Sequence, residues 1–234
     1  MNFVHLNVAS AYSAHYGVTR PEKMVAAGKS LGFEAIAITD RDGLYGAIKH
    51  IGATIKFGLV PIVGVNLKVD SSRVTVLAKG NNRGAGWGSL CKVVSAAHHG
   101  PKKKEPGLER VELGKLASDC LILLGHDSEL ARLVLHSPAA ASLELDAWVE
   151  SVGKERLVIE VVSQLTEPGS RYSSDHARAM LQIAIAKKLK VVLSNAVRYL
   201  DPDDALTADV LDSARTLEAL GLFSAQPNAQ AWLK

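Results

Sequence analysis

The stretch TDRDGLYG (39–46) follows the apolar run AIAI (35–38). A polar turn at the C-terminal end of a strand is where α/β proteins place their chemistry. Asp40 is a candidate metal ligand or base, whereas Arg41 beside it is a permanent cation and can be neither. In a parallel barrel the C-terminal strand ends converge on one face, so residues distant in sequence share a pocket. Gathering those ends brings His5 and Asn7, then Asp40 and Arg41, then Asn66, then Glu160, Ser163 and Gln164, and last Asn195 and Arg198. His15, in the turn SAHYG, faces either solvent or that pocket. The set is polar but poor in metal donors. A catalytic di- or trinuclear centre needs several converging imidazoles and carboxylates, and here the amides Asn7, Asn66 and Asn195 are weak ligands and Arg41 and Arg198 are repulsive. A unit charge about 4 Å from another is worth about 4 kcal/mol at an effective dielectric of about 20, and about twice that against a divalent ion. Two arginines therefore oppose a metal at this place, and the residues lead to the expectation of no metal and no cofactor.

Other chemistries find little support. Ser89, in GWGSLC, lies within a helical pattern and not after a strand, so it is not a nucleophile elbow. Cys91 and Cys120 stand in apolar surroundings and match neither a zinc spacing nor a disulfide framework. His98 and His99, at a helix end, suit the helix dipole better than a metal. A GxGxxG fingerprint and a Walker P-loop are both absent from the sequence. The segment HHGPKKKEPGLER (98–110) reads as an exposed loop. Its lysines Lys102, Lys103 and Lys104 are candidates for contact with a nucleic-acid backbone, and without interleaved aromatic residues base stacking is not expected.

The elements that must position these residues show a repeating pattern. Short apolar runs rich in β-branched residues occur at 3–8, 35–39, 59–69, 73–78, 120–125, 157–163 and 190–195. Their near-continuous apolarity suits strands buried on both faces, as parallel strands are. Between them, Thr19 and Glu22 have the spacing of a capping box opening a helix through Met24, Gly28 and Leu31. Further helices are expected at 43–57, 86–98, 128–136, 174–188 and 203–220, and Ser71-Ser72 marks a hairpin turn. Seven strands in roughly βα order point to an α/β barrel or an open parallel sheet, the barrel being preferred, over residues 1–234 as one domain. A hydrophobic content of 47% is enough for one sizeable core, and a net charge of +3 does not by itself argue for nucleic acid or membrane. No signal peptide or membrane-spanning run is evident, so a reduced, cytoplasmic location without membrane contact is expected.

Five stretches carry a resemblance. FVHLNVASAYS, AIAITDRDGLYGAIKH, GLVPIVGVNLKV, RVTVLAKGNNRGAGWGSLCKVVSAAH and VVLSNAVRYL resemble, in the same order, the N-terminal PHP (polymerase and histidinol phosphatase) domain of the bacterial DNA polymerase III alpha subunit, DnaE type. The resemblance implies a distorted seven-stranded α/β barrel of PHP type, with a metal site at the C-terminal strand ends in its active members. The H-x-H motif of those members falls on HLN (5–7) or, shifted by two, on NVA (7–9). The histidine of their TDHG turn is Arg41 here, and the acid after their P-I-x-G strand is Asn66. Their asparagine-histidine pair falls near Ser163 and Gln164, with Glu160 upstream. Their N-D-x-H-Y motif is NAVRY, so Ala196 and Arg198 replace an aspartate and a histidine.

With nearly every ligand position changed, the resemblance implies a degenerate metal site. The expected role is then structural or docking, as a module of a polymerase whose nucleotidyl transfer resides elsewhere in the chain. The partners implied are the remainder of that chain, a proofreading exonuclease subunit, and DNA reached through the parent protein. Arg41 and Arg198 would either pair with Asp40 and Glu160 or hold an anion. Two other readings stay open. One is a free-standing metal-dependent phosphoesterase with a reduced site, and the other is a non-catalytic anion-binding barrel.

Overall fold

The computed structural model describes residues 3–80, 83–99, 105–217 and 233. The Lys102–Lys104 run lies outside them. In chain order the elements are α1 (Pro21–Ser30), β1 (Ala35–Ile38), α2 (Ala47–Phe57), β2 (Val60–Val69), β3 (Ser72–Ala78), α3 (Ala85–His98), α4 (Arg110–Leu116), β4 (Cys120–Leu124), α5 (Glu129–Leu133), α6 (Pro138–Val152), β5 (Leu157–Val162), α7 (Ser174–Ala186), β6 (Lys190–Ser194) and α8 (Ala205–Thr216), with a 3-10 turn at Pro202–Asp204 before α8. The sheet follows the chain, β1-β2-β3-β4-β5-β6. The fold is thus of the expected α/β class, with six strands among the described residues. The chain divides into two compact units, 1–63 with 194–234, and 64–193.

In the first unit β1 pairs with the start of β2 in parallel, Ala35 opposite Val60 and Ile38 opposite Val63. Its core gathers Val8, Met24, Val25, Ile36, Ala53, Leu59 and Val197, and Leu233 completes it. Helix α1 begins at Pro21, whose fixed φ suits the first helical position. Its N-cap is Arg20 without a side-chain cap; the expected cap, Thr19, instead accepts the Leu200 N–H at 3.2 Å. Helix α2 stops at Gly58, which takes a left-handed φ of 68° and caps the carbonyls of Thr54 and Ile55.

The expected first strand, 3–8, makes only a single bridge, Val8 to Val197, in place of a regular ladder. The cause is local. The Val8 N–H is taken by the Thr39 hydroxyl at 2.8 Å, while the Ala37 and Thr39 amides donate to the carbonyls of His5 and Val8. The backbone runs beside β1, but a side chain occupies a rung.

In the second unit the sheet is mixed and not all parallel. β2 and β3 form an antiparallel hairpin closed by Asp70 and Ser71, with Val69 opposite Ser72, as the double serine predicts. β3 and β4 are also antiparallel, and β4 pairs with β5 in parallel. Helix α6, outside the expected set, buries Ala141, Leu145, Trp148 and Val152, one face at helical spacing. Glu144 of the same helix accepts from the Trp148 indole at 2.9 Å and meets Arg110 of α4, also outside the expected set, at 3.3 Å. The expected exposed loop after α3 is tied down where it is described: Leu108 is buried, bridges Val69, and donates to the Lys68 carbonyl.

Candidate functional site

Asp40 stands just past the C-terminal end of β1 and is 1% exposed. Its Oδ1 accepts from the Ser10 N–H at 2.7 Å and the Ser13 hydroxyl at 2.8 Å, and its Oδ2 accepts from the Ser10 hydroxyl at 3.0 Å. The direction of these bonds is fixed by the serines' other partners. Ser10 Oγ accepts the Tyr12 N–H and Ser13 Oγ accepts the Arg41 N–H, so each hydroxyl proton is left for Asp40. A Cβ on Gly46 would lie 2.4 Å from Oδ2, so only glycine lets the carboxylate fit against the entry to α2. Burial raises the Asp40 pKa above the ordinary carboxylate value, and hydrogen bonds from Ser10, Ser13 and Gly46 oppose that rise. Such a carboxylate organises a turn.

Arg41 and Arg198 converge on one ring. The guanidinium carbon of Arg41 is 3.3 Å from the Tyr16 ring centroid and that of Arg198 is 4.0 Å from it. Arg198 is 3% exposed; it donates from Nη1 to Asp212 Oδ2 at 2.8 Å and from Nη2 to the Tyr16 carbonyl at 3.2 Å. Asp212, 1% exposed on α8, accepts from Arg215 through its other oxygen at 2.9 Å. The partner the structure gives Arg198 is therefore an acid outside the expected set.

The remaining candidates of the first unit are dispersed in role. His5 is buried with its ring centroid 4.8 Å from that of Phe3 and 5.4 Å from that of Phe33, and burial pushes its pKa down to about 4 against a backbone hydrogen bond with Leu233. Asn7, also buried, accepts the Thr39 hydroxyl at 3.3 Å. His15 is exposed with a φ of 53°, and Asn195 is half-buried.

In the second unit Asn66 is absorbed by the hairpin. Its amide donates to Thr75 Oγ1 at 3.2 Å, and its two oxygens accept from Arg73 at 3.1 and 3.2 Å. Glu160 is buried on β5, and its carboxylate lies against Gly125 at the end of β4, where a Cβ would come within 2.0 Å of Oε2. Gln164 is buried, and its N–H donates to the Tyr172 carbonyl at 2.8 Å. Beside them is a cluster that the apolar run at 120–125 conceals: His126, buried, has Nε2 3.5 Å from Asp127 and its ring 5.0 Å from Tyr172. Arg171 holds the other oxygen of Asp127 at 3.0 Å.

Sequence reasoning omitted Ser10, Ser13, Tyr16 and Asp212. Asp212 has a legible signal, since it sits four residues after Ala208 on the buried face of α8. An acid there demands a cation. The serines carry no such mark, because ASAYS reads equally well as a loop.

Comparison with known proteins places this geometry. A family model described as PHP domain matches residues 5–164. The chain is 32% identical over 212 residues to DNA polymerase III subunit alpha of Escherichia coli strain K12, covering 86% of this chain and 18% of that protein. It is 26% identical over 238 residues to an error-prone DNA polymerase of Corynebacterium jeikeium strain K411, covering 99% of this chain and 19% of that one. The chain thus spans less than a fifth of the length of these relatives. Among solved structures, a Bifidobacterium adolescentis protein assigned as a metal-dependent phosphoesterase superposes with a TM-score of 0.57 at 13% identity, over 83% of this chain and 87% of that one. An amidohydrolase of Chromobacterium violaceum, with bound sulfate and no metal, gives 0.57 at 12% identity over the same shares. These likenesses show the fold.

Proposed function

This chain belongs to the PHP domain family, and from that premise we propose that it is the N-terminal PHP module of a bacterial DNA polymerase III alpha subunit of the DnaE type, non-catalytic, with a degenerate metal site and a structural or docking role. On this reading residues 1–234 are one domain of a cytoplasmic protein, and the extended segment 3–8 supplies the seventh strand of a distorted barrel. Its partners are the remainder of the polymerase chain and a proofreading exonuclease, with DNA reached through the parent protein.

The observation that carries the reading is the state of Asp40. In active members of the family a metal would be held at these strand ends. Here both oxygens of Asp40 are engaged by Ser10 and Ser13, and the following position is a guanidinium stacked on Tyr16. Arg198 carries a second positive charge to the same ring and is paired with the buried carboxylate of Asp212. Among the described residues no three His, Cys, Asp or Glu side chains are grouped to hold a metal. These contacts support the reading that fixed protein charges stand where the family's ion would be held.

Elemental analysis of the purified chain tests this. The expected result is less than stoichiometric zinc, manganese or iron, a melting midpoint unmoved by chelator, and no aryl phosphate turnover with added manganese. One or more tightly bound ions per chain, or turnover abolished by Asp40→Ala, would overturn it.

A further inference from the structure

The docking role proposed above needs a surface, and helix α2 presents one. Tyr45, in the turn that enters α2, is 61% exposed, and on the helix itself Ile48 is 70% and Ile55 72% exposed, with Gly52 between them exposed as well. The positions 45, 48, 52 and 55 step by three, four and three residues, the spacing of a coiled-coil seam. The opposite side of α2 is already used: Ala47, His50, Ala53 and Thr54 are buried. A helix with apolar residues on both sides expects a second neighbour.

Two details say what that neighbour is. Glycine in a helix interior is destabilising, and here nothing in the chain requires it, since a Cβ on Gly52 would meet no atom within 4 Å. A hole of that kind in a seam admits a large side chain from a facing helix. The flank of the seam is basic. With Tyr45 and Gly52 in the first position of each heptad, Lys49 and Lys56 both fall in the fifth, where interhelical ion pairs form, and both are exposed. Helix α2 carries no acidic residue. A partner with basic flanks is repelled and one with acidic flanks is attracted.

We propose that the seam formed by Ile48, Gly52 and Ile55 of α2, with Tyr45 of the turn entering it, is a docking site for a single amphipathic helix of a partner protein, apolar along its contact ridge and acidic beside it. The partner helix lies along α2, a bulky apolar side chain enters at Gly52, and its carboxylates meet Lys49 and Lys56. Tyr45 belongs to the turn that carries Asp40, but Ile48, Gly52 and Ile55 do not, so substitutions on α2 test this surface separately from the lost metal site.

The probe is a synthetic helix of about three heptads with leucine along the seam and glutamate on both flanks, titrated against the full chain at low and high salt. Binding is expected, weakened about tenfold by Ile48→Asp or Ile55→Asp, weakened by salt, and weakened at least tenfold when lysine replaces the glutamates of the peptide. Both substitutions are at exposed positions, and unchanged melting midpoints would confirm intact folding. Gly52→Ala separates recognition from stability: it should raise the midpoint while weakening the peptide, whereas a merely permissive glycine would do only the first. Equal binding of acidic and basic peptides, or of neither, would overturn the proposal. So would self-association abolished by Ile48→Asp, which would make the occupant a second copy, or binding to anionic vesicles in place of the peptide. Any of these outcomes in a metal-free, inactive chain would leave the loss of catalysis standing and remove only this surface.

Discussion

At the residue scale the buried ionisable groups act in opposite directions with pH. His5 and His50 are pushed down to about 4 by burial, so between about pH 6.5 and pH 4 the unfolded chain binds protons that the folded chain refuses. Stability is therefore lost as pH falls through that window, by about 3 kcal/mol for each imidazole. His50→Gln, which keeps a donor for the Ile36 carbonyl now 3.0 Å from Nε2, should flatten the urea midpoint across this range. An unchanged slope would mean that His50 is not buried as a neutral ring. Asp40 has the reverse sign. Its folded pKa is raised, so its contribution is fully present below the ordinary carboxylate value and is lost as pH rises through the folded one. Asp40→Asn should remove that loss, so the difference between variant and parent midpoints grows with rising pH, at no more than about 1.4 kcal/mol per pH unit. A difference independent of pH would mean that the serine hydrogen bonds, and not burial, dominate the carboxyl group.

At the scale of elements, α8 is attached by charge. Its buried face is only Ala208 and Asp212, and Asp212 is shared between Arg198 and Arg215. Removing one partner of a buried ion pair leaves the other uncompensated, at a cost of about 3–5 kcal/mol. Asp212→Ala should therefore destabilise by about that much and speed amide exchange in α8, and adding Arg198→Met should recover part of the loss. If the double variant is no more stable than the single one, Arg198 is held by something other than Asp212. This element also shows what the sequence made legible. Six of seven expected strands form where apolar runs are bounded by turn residues, although β6, expected to be buried on both faces, is largely exposed or half-buried. The first did not, since Thr39 competes for the Val8 amide, and nothing local to residues 3–8 records that rival. The capping-box spacing at Thr19 was overruled in the same way: Pro21 fixes the start of α1, and Thr19 is recruited by a backbone 181 residues away. Of the candidate residues, Asp40 and Arg41 follow the end of β1 and Asn195 follows β6, whereas Asn66 and Glu160 lie within β2 and β5. The partners of Asp40 and Arg41 left no mark in the sequence, because Ser10, Ser13 and Tyr16 gain meaning only when loops meet.

At the scale of the whole molecule, the first unit is assembled from both ends of the described chain. Val8, near one end, and Val197 and Leu233, near the other, share one core with Met24 and Ile36. Leu233 is fully buried there, and His5 forms a hydrogen bond with its backbone. A core closed by sequence-distant residues gains its last contacts only after the intervening chain is ordered, since loop closure precedes the reward. Leu233 is thus the residue whose loss should be felt furthest from its own position. Leu233→Ala deletes a buried side chain and should cost about 3 kcal/mol through lost transfer energy and the cavity left behind. The loss should be read in the first unit, as faster amide exchange at Val25, Ile36 and Ala53, whose side chains share that core. Leu233→Met, which refills the space with a flexible chain, should restore most of the protection. Exchange unchanged at those three amides would mean that the core of the first unit closes without the Leu233 side chain.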